Sequence, residues 1–214
     1  MIKAVIFDLD GTLIDTERFY RINWPKAFEH FGYRMSDEQA LLLRSLGRPF
    51  VQKFLKEISG DENFDYEKVK SYRSKLMEKS LKENGLNLKK GAKELLEFLR
   101  EKKIVTAVAT ASPKDRAERY LSQTGILKFF DKIISATMVE KGKPSPDIYE
   151  FAVKELKLEA EECLAVEDSP NGIKSAFAAG CKVAMIPDQD TADEETKKML
   201  FAYKSSLDEL KELF

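Results

Sequence analysis

The chain has 214 residues, of which 43% are hydrophobic and 34% charged, a composition that supports a folded core and excludes a disordered chain. Its 36 Lys and Arg residues nearly balance its 37 Asp and Glu residues, so the net charge of −1 offers no overall attraction to nucleic acid or to an anionic membrane. The single histidine, His30, excludes a zinc site built on paired histidines, and two cysteines are too few for a disulfide framework.

The N-terminal segment predicts neither a membrane span nor a secretion signal. No apolar run approaches the roughly 18 residues needed to cross a membrane. The apolar opening from Met1 to Phe7 is interrupted by Asp8 and Asp10 too early for a signal peptide. We therefore expect a soluble cytoplasmic protein without nucleic-acid or membrane partners. The sequence does not decide the oligomeric state, for which a monomer is the default expectation.

In chain order, the first predicted elements are one strand and a long helical block. The strand, residues 4–7, is a short apolar run typical of a strand buried on both faces of a parallel sheet. From about Thr16 to Leu88 the apolar residues recur at helical spacing. His30 is predicted in the last turn of the first helix of this block, where the helix dipole favours a cation.

After Leu88, helix and strand patterns alternate towards the C-terminus. Helices are predicted at about 91–103, 113–125, 147–156 and 170–179, and strands at 104–109, 133–134, 163–166 and 183–186. Such alternation is typical of right-handed βαβ units in a doubly wound parallel sheet. The predicted fold is therefore a Rossmann-like α/β core, residues 1–15 and 89–214, with an inserted helical domain, residues 16–88. Cys163 and Cys181 open apolar runs and are expected as free thiols in that core.

Two acidic pairs follow predicted strands. Asp8 and Asp10 come after the first strand, and Glu167 and Asp168 come after the strand at 163–166. Ligands of open α/β sheets bind beyond the carboxyl ends of the strands, so these four carboxylates are expected at one site. Gly11 allows the chain to turn sharply, which would bring Asp10 back over that site.

The acidic pairs have a metal-binding and a structural interpretation. Oxygen ligands from two strand ends favour a hard cation, and Mg²⁺, which keeps several waters, is the natural choice. A cation would also let several buried carboxylates stay ionised. Asp168 or Ser169 could instead simply cap the helix that Pro170 opens. The two roles are compatible, because Ser169 can cap the helix while Asp168 faces the site.

Hydroxyl groups and a lysine complete the predicted strand-end groups. Thr110, Ala111 and Ser112 lead into a predicted helix start, where hydroxyls and free backbone N–H groups can bind an anion, although Ser112 could be an ordinary N-cap. Lys143 lies in a loop that two prolines stiffen. A cation and Lys143 would together offset the charges of a phosphoryl group and a carboxylate nucleophile, which otherwise repel each other. The combination indicates phosphoryl transfer through an aspartyl phosphate.

These groups resemble, in the same order, the four motifs of the haloacid dehalogenase-like hydrolase superfamily. The motifs are Asp8-Leu-Asp-Gly-Thr-Leu-Ile-Asp15, Thr110, Lys143-Pro-Ser-Pro-Asp147 and Glu167-Asp-Ser-Pro-Asn-Gly172. The resemblance covers essentially the whole chain and is closest to the phosphatase and beta-phosphoglucomutase-like members. It implies an Mg²⁺-dependent phosphoric monoester hydrolase that acts on a small phosphorylated metabolite, such as a sugar phosphate. It also implies that residues 16–88 form a mobile cap that selects the leaving group.

The resemblance further implies a role for each motif residue. Asp8 is the expected nucleophile, and Asp10 is expected to protonate the leaving oxygen and later to activate water. The substrate is expected to contact six residues: Tyr20, Arg48, Thr110, Ala111, Ser112 and Lys143. The metal is expected on Asp8, the backbone carbonyl of Asp10, Glu167 and Asp168. Asp10 argues against dehalogenation, because the dehalogenases of the superfamily lack this second aspartate.

Two alternative functions share these groups. A beta-phosphoglucomutase-like phosphomutase uses the same core, but its members carry a histidine at the position of Tyr20 and an arginine that Arg48 does not clearly match. A mutase must also hold a second phosphate, for which Arg48, Arg73 and Lys114 are the candidates. A phospho-accepting signalling domain combines similar groups but is shorter and lacks the helical block. The phosphatase is favoured, and the sequence does not decide which of Tyr20, Asn23, Arg48 and Arg73 face the site.

Overall fold

The computed structural model describes residues 1–189 and 191–214. Its strands are β1 (Ala4–Phe7), β2 (Val105–Thr110), β3 (Lys132–Ser135), β4 (Cys163–Glu167), β5 (Lys182–Met185) and β6 (Ala202–Tyr203). They form one parallel sheet in the order β3-β2-β1-β4-β5-β6. This topology confirms the predicted Rossmann-like α/β fold.

The helices divide into two groups along the chain. Between β1 and β2 lie α1 (Glu17–His30), α2 (Asp37–Leu42), α3 (Phe50–Ser59), α4 (Tyr66–Asn84) and α5 (Ala92–Glu101). The later helices are α6 (Lys114–Gln123), α7 (Asp147–Leu156), α8 (Pro170–Ala178) and α9 (Glu194–Lys197), and a 3₁₀ helix at Leu207–Leu213 ends the chain. None of the helices described is both long and apolar enough to cross a membrane.

The central strand β1 is buried on both faces, as its unbroken apolar run predicts. Val5 and Phe7 belong to the hydrophobic cluster on one side of the sheet, and Ala4 and Ile6 belong to the cluster on the other side. All four side chains are at most 1% exposed. A strand covered on both faces cannot alternate apolar with polar residues, which explains its sequence.

The register of the sheet determines which strand ends meet. Phe7 pairs with Val108 of β2 and with Val166 of β4, so that Asp8 and Glu167 emerge side by side. The carboxyl ends of β2, β1 and β4 therefore form one edge. This edge is where ligands of open parallel sheets bind.

Residues 16–88, called the helical insert below, have a hydrophobic cluster of their own. Trp24, Phe28, Val51, Leu55 and Val69 lie at its centre, and most of the contacts are between α1 and α4. The side chain of His30, in the last turn of α1 as predicted, stacks on Tyr72 with the ring centroids 3.8 Å apart.

The helical insert contacts two loops of the core. The side chain of Asn171 donates hydrogen bonds to the carbonyls of Leu42 and Arg44, at 3.1 and 2.9 Å. The backbone N–H of Gly47 donates to the Lys143 carbonyl at 2.8 Å, and the N–H of Gly142 donates to the Arg48 carbonyl at 2.7 Å. The insert is thus bound to the loop that carries Lys143.

Several predicted boundaries differ from the structure. β2 and β5 are each displaced by one residue from the predicted strands, and β4 extends one residue further, to include Glu167. Helix α6 begins at Lys114 with Pro113 as its N-cap, so Ser112 is not the cap residue. The two-residue strand β6 was not predicted, because it is too short for a periodicity and exists only through its pairing with β5.

Candidate active site

A buried lysine joins two carboxylates at the centre of the strand-end edge. The Lys143 Nζ donates to Asp8 Oδ1 and to Glu167 Oε1, each at 2.5 Å. The hydroxyl of Tyr149, on α7, donates to the same Glu167 oxygen at 2.6 Å. All four residues are at most 1% exposed, so water does not screen these contacts.

Burial and charge act in opposite directions on this group. Burial disfavours the ammonium form of Lys143, but Asp8 and Glu167 outweigh burial and raise the pKa of the lysine. Burial raises the pKa of Asp8 to about 8, although Lys143 opposes the shift. Asp168 is raised well above its usual pKa, first by burial and then by Asp8 and Glu167. One lysine is therefore too little positive charge for three buried carboxylates.

The three carboxylates fit a divalent metal ion. Oxygen atoms of Asp8, Glu167 and Asp168 lie within 4.8 Å of one another. Within residues 1–189 and 191–214, one oxygen of each has no hydrogen-bond partner and is buried: Asp8 Oδ2, Glu167 Oε2 and Asp168 Oδ2. The other Asp168 oxygen accepts a bond from Thr12 Oγ1 at 3.1 Å, which orients the side chain. An all-oxygen set with free, converging lone pairs suits Mg²⁺.

Asp10 lies beside this cluster but is held differently. Gly11, with φ +88°, turns the chain after it, as the sequence predicts. Its carboxylate accepts hydrogen bonds from Thr16 Oγ1 at 2.6 Å and from Ser112 Oγ at 2.8 Å. The carboxylate is therefore positioned by two hydroxyls, and it lies outside the group of three that could hold a metal.

The N-terminus of α6 supplies a second set of hydrogen-bond donors. Thr110 Oγ1 accepts a bond from the Ser112 backbone N–H at 3.0 Å, which shapes the turn before the helix. Thr110, Ala111, Ser112 and Pro113 line the same cavity as Asp8 and Asp10. A helix N-terminus with adjacent hydroxyls is suited to an anion such as a phosphoryl group.

A cavity of about 580 Å³ lies between the helical insert and the strand ends. Asp8 and Asp10 line it from the core, whereas Tyr20, Arg48 and Arg73 line it from the insert. This volume is that of a pocket for a small molecule.

Two candidate residues from the sequence, one left undecided and one considered for a second phosphate, do not face this cavity. Asn23 donates to Ser80 Oγ at 3.0 Å and is buried between α1 and α4. Lys114 is an exposed residue that pairs with Glu118 at 3.7 Å, so it is not a candidate for holding a second phosphate in this cavity. Arg48 lines the cavity but is ion-paired with Glu67 at 2.7 Å.

Three residues of the site were not predicted from the sequence: Glu17, Arg116 and Tyr149. Glu17 lines the cavity and is 5% exposed, and burial, with Asp168 next, raises its pKa well above the usual value. An acidic residue in the first turn of a helix is ordinarily explained by its interaction with the helix dipole. The sequence therefore gave no reason to place Glu17 at the site. Arg116 and Tyr149 carried no local signal, because nothing in their helices distinguishes a side chain that faces the site.

The chain is similar to characterised families over most of its length. The pattern of the haloacid dehalogenase-like hydrolases matches residues 5–186. A phosphorylated carbohydrates phosphatase of Thermotoga maritima is 31% identical over 182 residues, 83% of this chain and 82% of that protein. A validoxylamine A 7'-phosphate phosphatase of Streptomyces hygroscopicus is 32% identical over 181 residues, 84% of this chain and 83% of that protein.

The fold is also similar to that of solved structures. The crystal structure of a CbbY variant from Rhodobacter sphaeroides, in complex with xylulose-(1,5)bisphosphate, superposes with a TM-score of 0.81. The two sequences are 28% identical, and the match covers 98% of this chain and 96% of that one. The fold and these similarities define the chain as a phosphoric monoester hydrolase with a Rossmann-like core. It belongs to the haloacid dehalogenase-like hydrolase family, which confirms the resemblance drawn from its four motifs.

Proposed function

We propose that the chain is an Mg²⁺-dependent phosphatase that hydrolyses a small phosphorylated metabolite, such as a sugar phosphate, through a phosphoryl group carried on Asp8. The observation that carries this proposal is the contact of the Asp8 carboxylate with Lys143 at one end of a small-molecule cavity, beside Asp10. The relatives named above are a phosphatase of phosphorylated carbohydrates and a phosphatase of validoxylamine A 7'-phosphate, which supports a small phosphorylated metabolite as the substrate.

In the first proposed step, an Asp8 carboxylate oxygen attacks the phosphorus atom and the bond to the leaving oxygen breaks. Asp10 donates a proton to that oxygen, so the alcohol leaves neutral. Lys143, Thr110 and the N-terminus of α6 stabilise the charge of the phosphoryl oxygens. Mg²⁺, when bound by Asp8, the Asp10 carbonyl, Glu167 and Asp168, supplies further positive charge beside them.

In the second proposed step, water replaces the sugar as the reactant. Asp10, now ionised, takes a proton from a water molecule, whose oxygen attacks the phosphorus of the aspartyl phosphate. The bond to Asp8 breaks, inorganic phosphate leaves, and the carboxylate is restored. The hydroxyls of Thr16 and Ser112 hold the Asp10 carboxylate in place for both transfers.

The helical insert is proposed to act as a cap over this chemistry. It supplies the cavity wall opposite Asp8 and is bound to the core through short backbone contacts. A cap that closes excludes bulk water and strengthens the electrostatic interactions inside. The leaving group is then selected by the insert residues that line the cavity.

Tyr20 favours water over a second sugar as the phosphoryl acceptor. Burial raises the pKa of its hydroxyl above 10, so this group does not titrate near neutral pH as a histidine would. Its hydroxyl also accepts a hydrogen bond from Arg116 Nη1 at 3.1 Å. We therefore expect net phosphate release without a bisphosphate activator.

The test is to supply beta-glucose 1-phosphate, with and without glucose 1,6-bisphosphate, and to measure both free phosphate and glucose 6-phosphate alongside a panel of other sugar phosphates. Phosphate release that is abolished by EDTA and restored by Mg²⁺ is expected. Efficient formation of glucose 6-phosphate with little free phosphate would show a mutase instead, and stable phosphorylation without turnover would show a signalling domain.

The nucleophile is tested by Asp8→Asn, which should fold normally and release phosphate at background rate. The matched control is Asp15→Asn, since Asp15 belongs to the same motif but pairs with Arg18 at 2.9 Å near the surface. Near-normal activity of Asp8→Asn, with deamidation excluded by mass spectrometry, would refute the assignment.

A further inference from the structure

Arg73, on α4, is a buried cation with no carboxylate partner among the described residues. It lines the cavity and is 5% exposed, yet its Nε and Nη1 atoms are buried and have no hydrogen-bond partner in the part of the chain that the structure describes. Its guanidinium carbon lies 4.9 Å from the centroid of the Tyr20 ring and 4.7 Å from that of Trp24. The rings compensate part of its charge, but among the described residues no acceptor satisfies its Nε–H and Nη1–H groups.

Arg116 approaches the same place from the core. It lies on α6, lines the cavity, and donates to the Tyr20 hydroxyl, so that Tyr20 contacts both guanidinium groups. Within residues 1–189 and 191–214 neither arginine forms a salt bridge. By contrast, two other cations of the cavity wall, Arg48 and Lys70, share Glu67 as their partner, at 2.7 and 3.3 Å.

A buried cation beside a second, half-buried cation is costly where no described carboxylate pairs with either. Burial lowers the pKa of Arg73, and Arg116 lowers it further. Asp10 attracts both arginines, but its oxygen atoms accept hydrogen bonds from Thr16 and Ser112 rather than from either arginine. An arrangement of this kind is stabilised when an anionic ligand enters the cavity, because the ligand supplies the missing charge and acceptors.

The transferring phosphoryl group is not that anion, since Lys143, Thr110 and the N-terminus of α6 are available to it at the core end of the cavity. We infer that Arg73 and Arg116 form a second anion subsite, and that the substrate is a phosphate ester with a further anionic group, a carboxylate or a second phosphate, on its leaving-group portion. The inference rests on the proposed function, because it takes Asp8 as the point at which the first phosphoryl group reacts.

The experiment compares substrates that differ in the second anion. One pair is 6-phosphogluconate and glucose 6-phosphate, which tests a carboxylate, and the other is fructose 1,6-bisphosphate and fructose 6-phosphate, which tests a phosphate. The member with the second anion should have a kcat/KM about tenfold or more higher, as one charge-assisted hydrogen bond provides. A preference within either pair supports the subsite, and the pair that shows it identifies the anion.

The variants Arg73→Met and Arg116→Met should each reduce the preference for the substrate with two anionic groups at least about tenfold. The reduction should come from a higher KM for that substrate, because both arginines are inferred to contact its second anionic group. Arg119→Met, an exposed residue of the same helix as Arg116, is the matched control and should keep the preference. Because Arg116 is only half buried, its variant tests the subsite even where Arg73→Met folds poorly.

Equal kcat/KM values within both pairs, or a preference that survives in both variants, would overturn the subsite while leaving the phosphatase intact. If no phosphate ester is hydrolysed at all, the proposed function fails, and calorimetric titration with the same compounds then decides the subsite. Tighter binding of 6-phosphogluconate or fructose 1,6-bisphosphate that Arg73→Met removes would support it. Equal affinities would overturn it.

Discussion

Lys143 is fully buried, unlike most lysines, and its ammonium lies between Asp8 and Glu167. A buried lysine stays charged only where carboxylates repay the cost of removing it from water. Here the two carboxylates raise its pKa, so the lysine is a fixed positive charge beside the proposed nucleophile. Glu167 in turn depends on Tyr149, whose hydroxyl bonds the same carboxylate oxygen.

Tyr149→Phe should therefore weaken the site without changing its shape. The variant removes one buried hydrogen bond to a charged group, which lowers the free energy of unfolding by about 1.5–3 kcal/mol. It should also lower kcat, because Glu167 loses one of the contacts that orient it towards Lys143. Urea unfolding and phosphate release measure the two effects. Tyr33→Phe is the matched control, since its hydroxyl bonds Asp61 at 2.7 Å within the insert. An unchanged unfolding free energy in Tyr149→Phe would contradict the contact.

The two cysteines should be unreactive in the folded protein. Both are buried free thiols, and burial raises the pKa of Cys163 to about 11 and that of Cys181 to about 12. A raised thiol pKa means less thiolate, and the thiolate is the form that reacts. At about pH 8, iodoacetamide should leave the native protein unlabelled and label two thiols after unfolding. Rapid labelling of either cysteine in the native protein would show that it is accessible.

At the scale of elements, the contact between the helical insert and the Lys143 loop is the one with the clearest consequence. Gly47 and Gly142 approach so closely that each Cα would lie within 2.7 Å of a Cβ built on the other. Reciprocal backbone hydrogen bonds flank this point. The position of the insert is thereby coupled to the loop that carries Lys143.

Gly142→Ala should displace the insert from that loop. The new methyl group would meet Gly47 Cα at 2.7 Å and Arg48 N at 3.2 Å, and backbone atoms cannot move aside as a side chain can. Overpacking of this kind costs about 1–3 kcal/mol. We expect a lower kcat/KM and faster amide exchange at Gly47, measured by steady-state kinetics and by hydrogen exchange. Lys141→Ala, an exposed neighbour, should behave as the unmodified protein. Normal exchange at Gly47 in Gly142→Ala would show that the contact does not hold the insert.

At the scale of the whole molecule, the excess of buried carboxylates predicts a link between metal binding and stability. A metal that binds only the folded state stabilises it, by about 2.7 kcal/mol at 100 times its Kd. For a chain of this size the same energy raises Tm by about 5–10 °C. Adding Mg²⁺ should produce such a shift in calorimetry, whereas NaCl at equal ionic strength should not.

Asp168→Asn distinguishes metal binding from general screening. The variant removes one of three buried like charges, so without metal its Tm should exceed that of the unmodified protein. It should also lose most of the shift that Mg²⁺ produces, because one ligand is gone. If Mg²⁺ raised the Tm of this variant as much as that of the unmodified protein, Asp168 would not be a metal ligand.

The α/β class and the residues at the strand ends follow from the amino-acid sequence alone. A strand buried on both faces, such as β1, is a local apolar run, and the alternation of helix and strand is likewise local. The motifs around Asp8 and Glu167 follow such strands, and parallel strands place their carboxyl ends at one edge. Local patterns were therefore sufficient to bring these carboxylates together.

The residues that complete the cavity, by contrast, depend on how the helices pack over the core. Helical spacing places Tyr20 and Asn23 on the same helix but does not fix how that helix is rotated over the core. In the structure, Tyr20 faces the cavity and Asn23 faces α4. Arg73 and Arg116 meet at Tyr20 from different parts of the chain. Such contacts depend on how separate elements pack against one another. That packing is a property of the whole fold, so a local sequence pattern does not predict it.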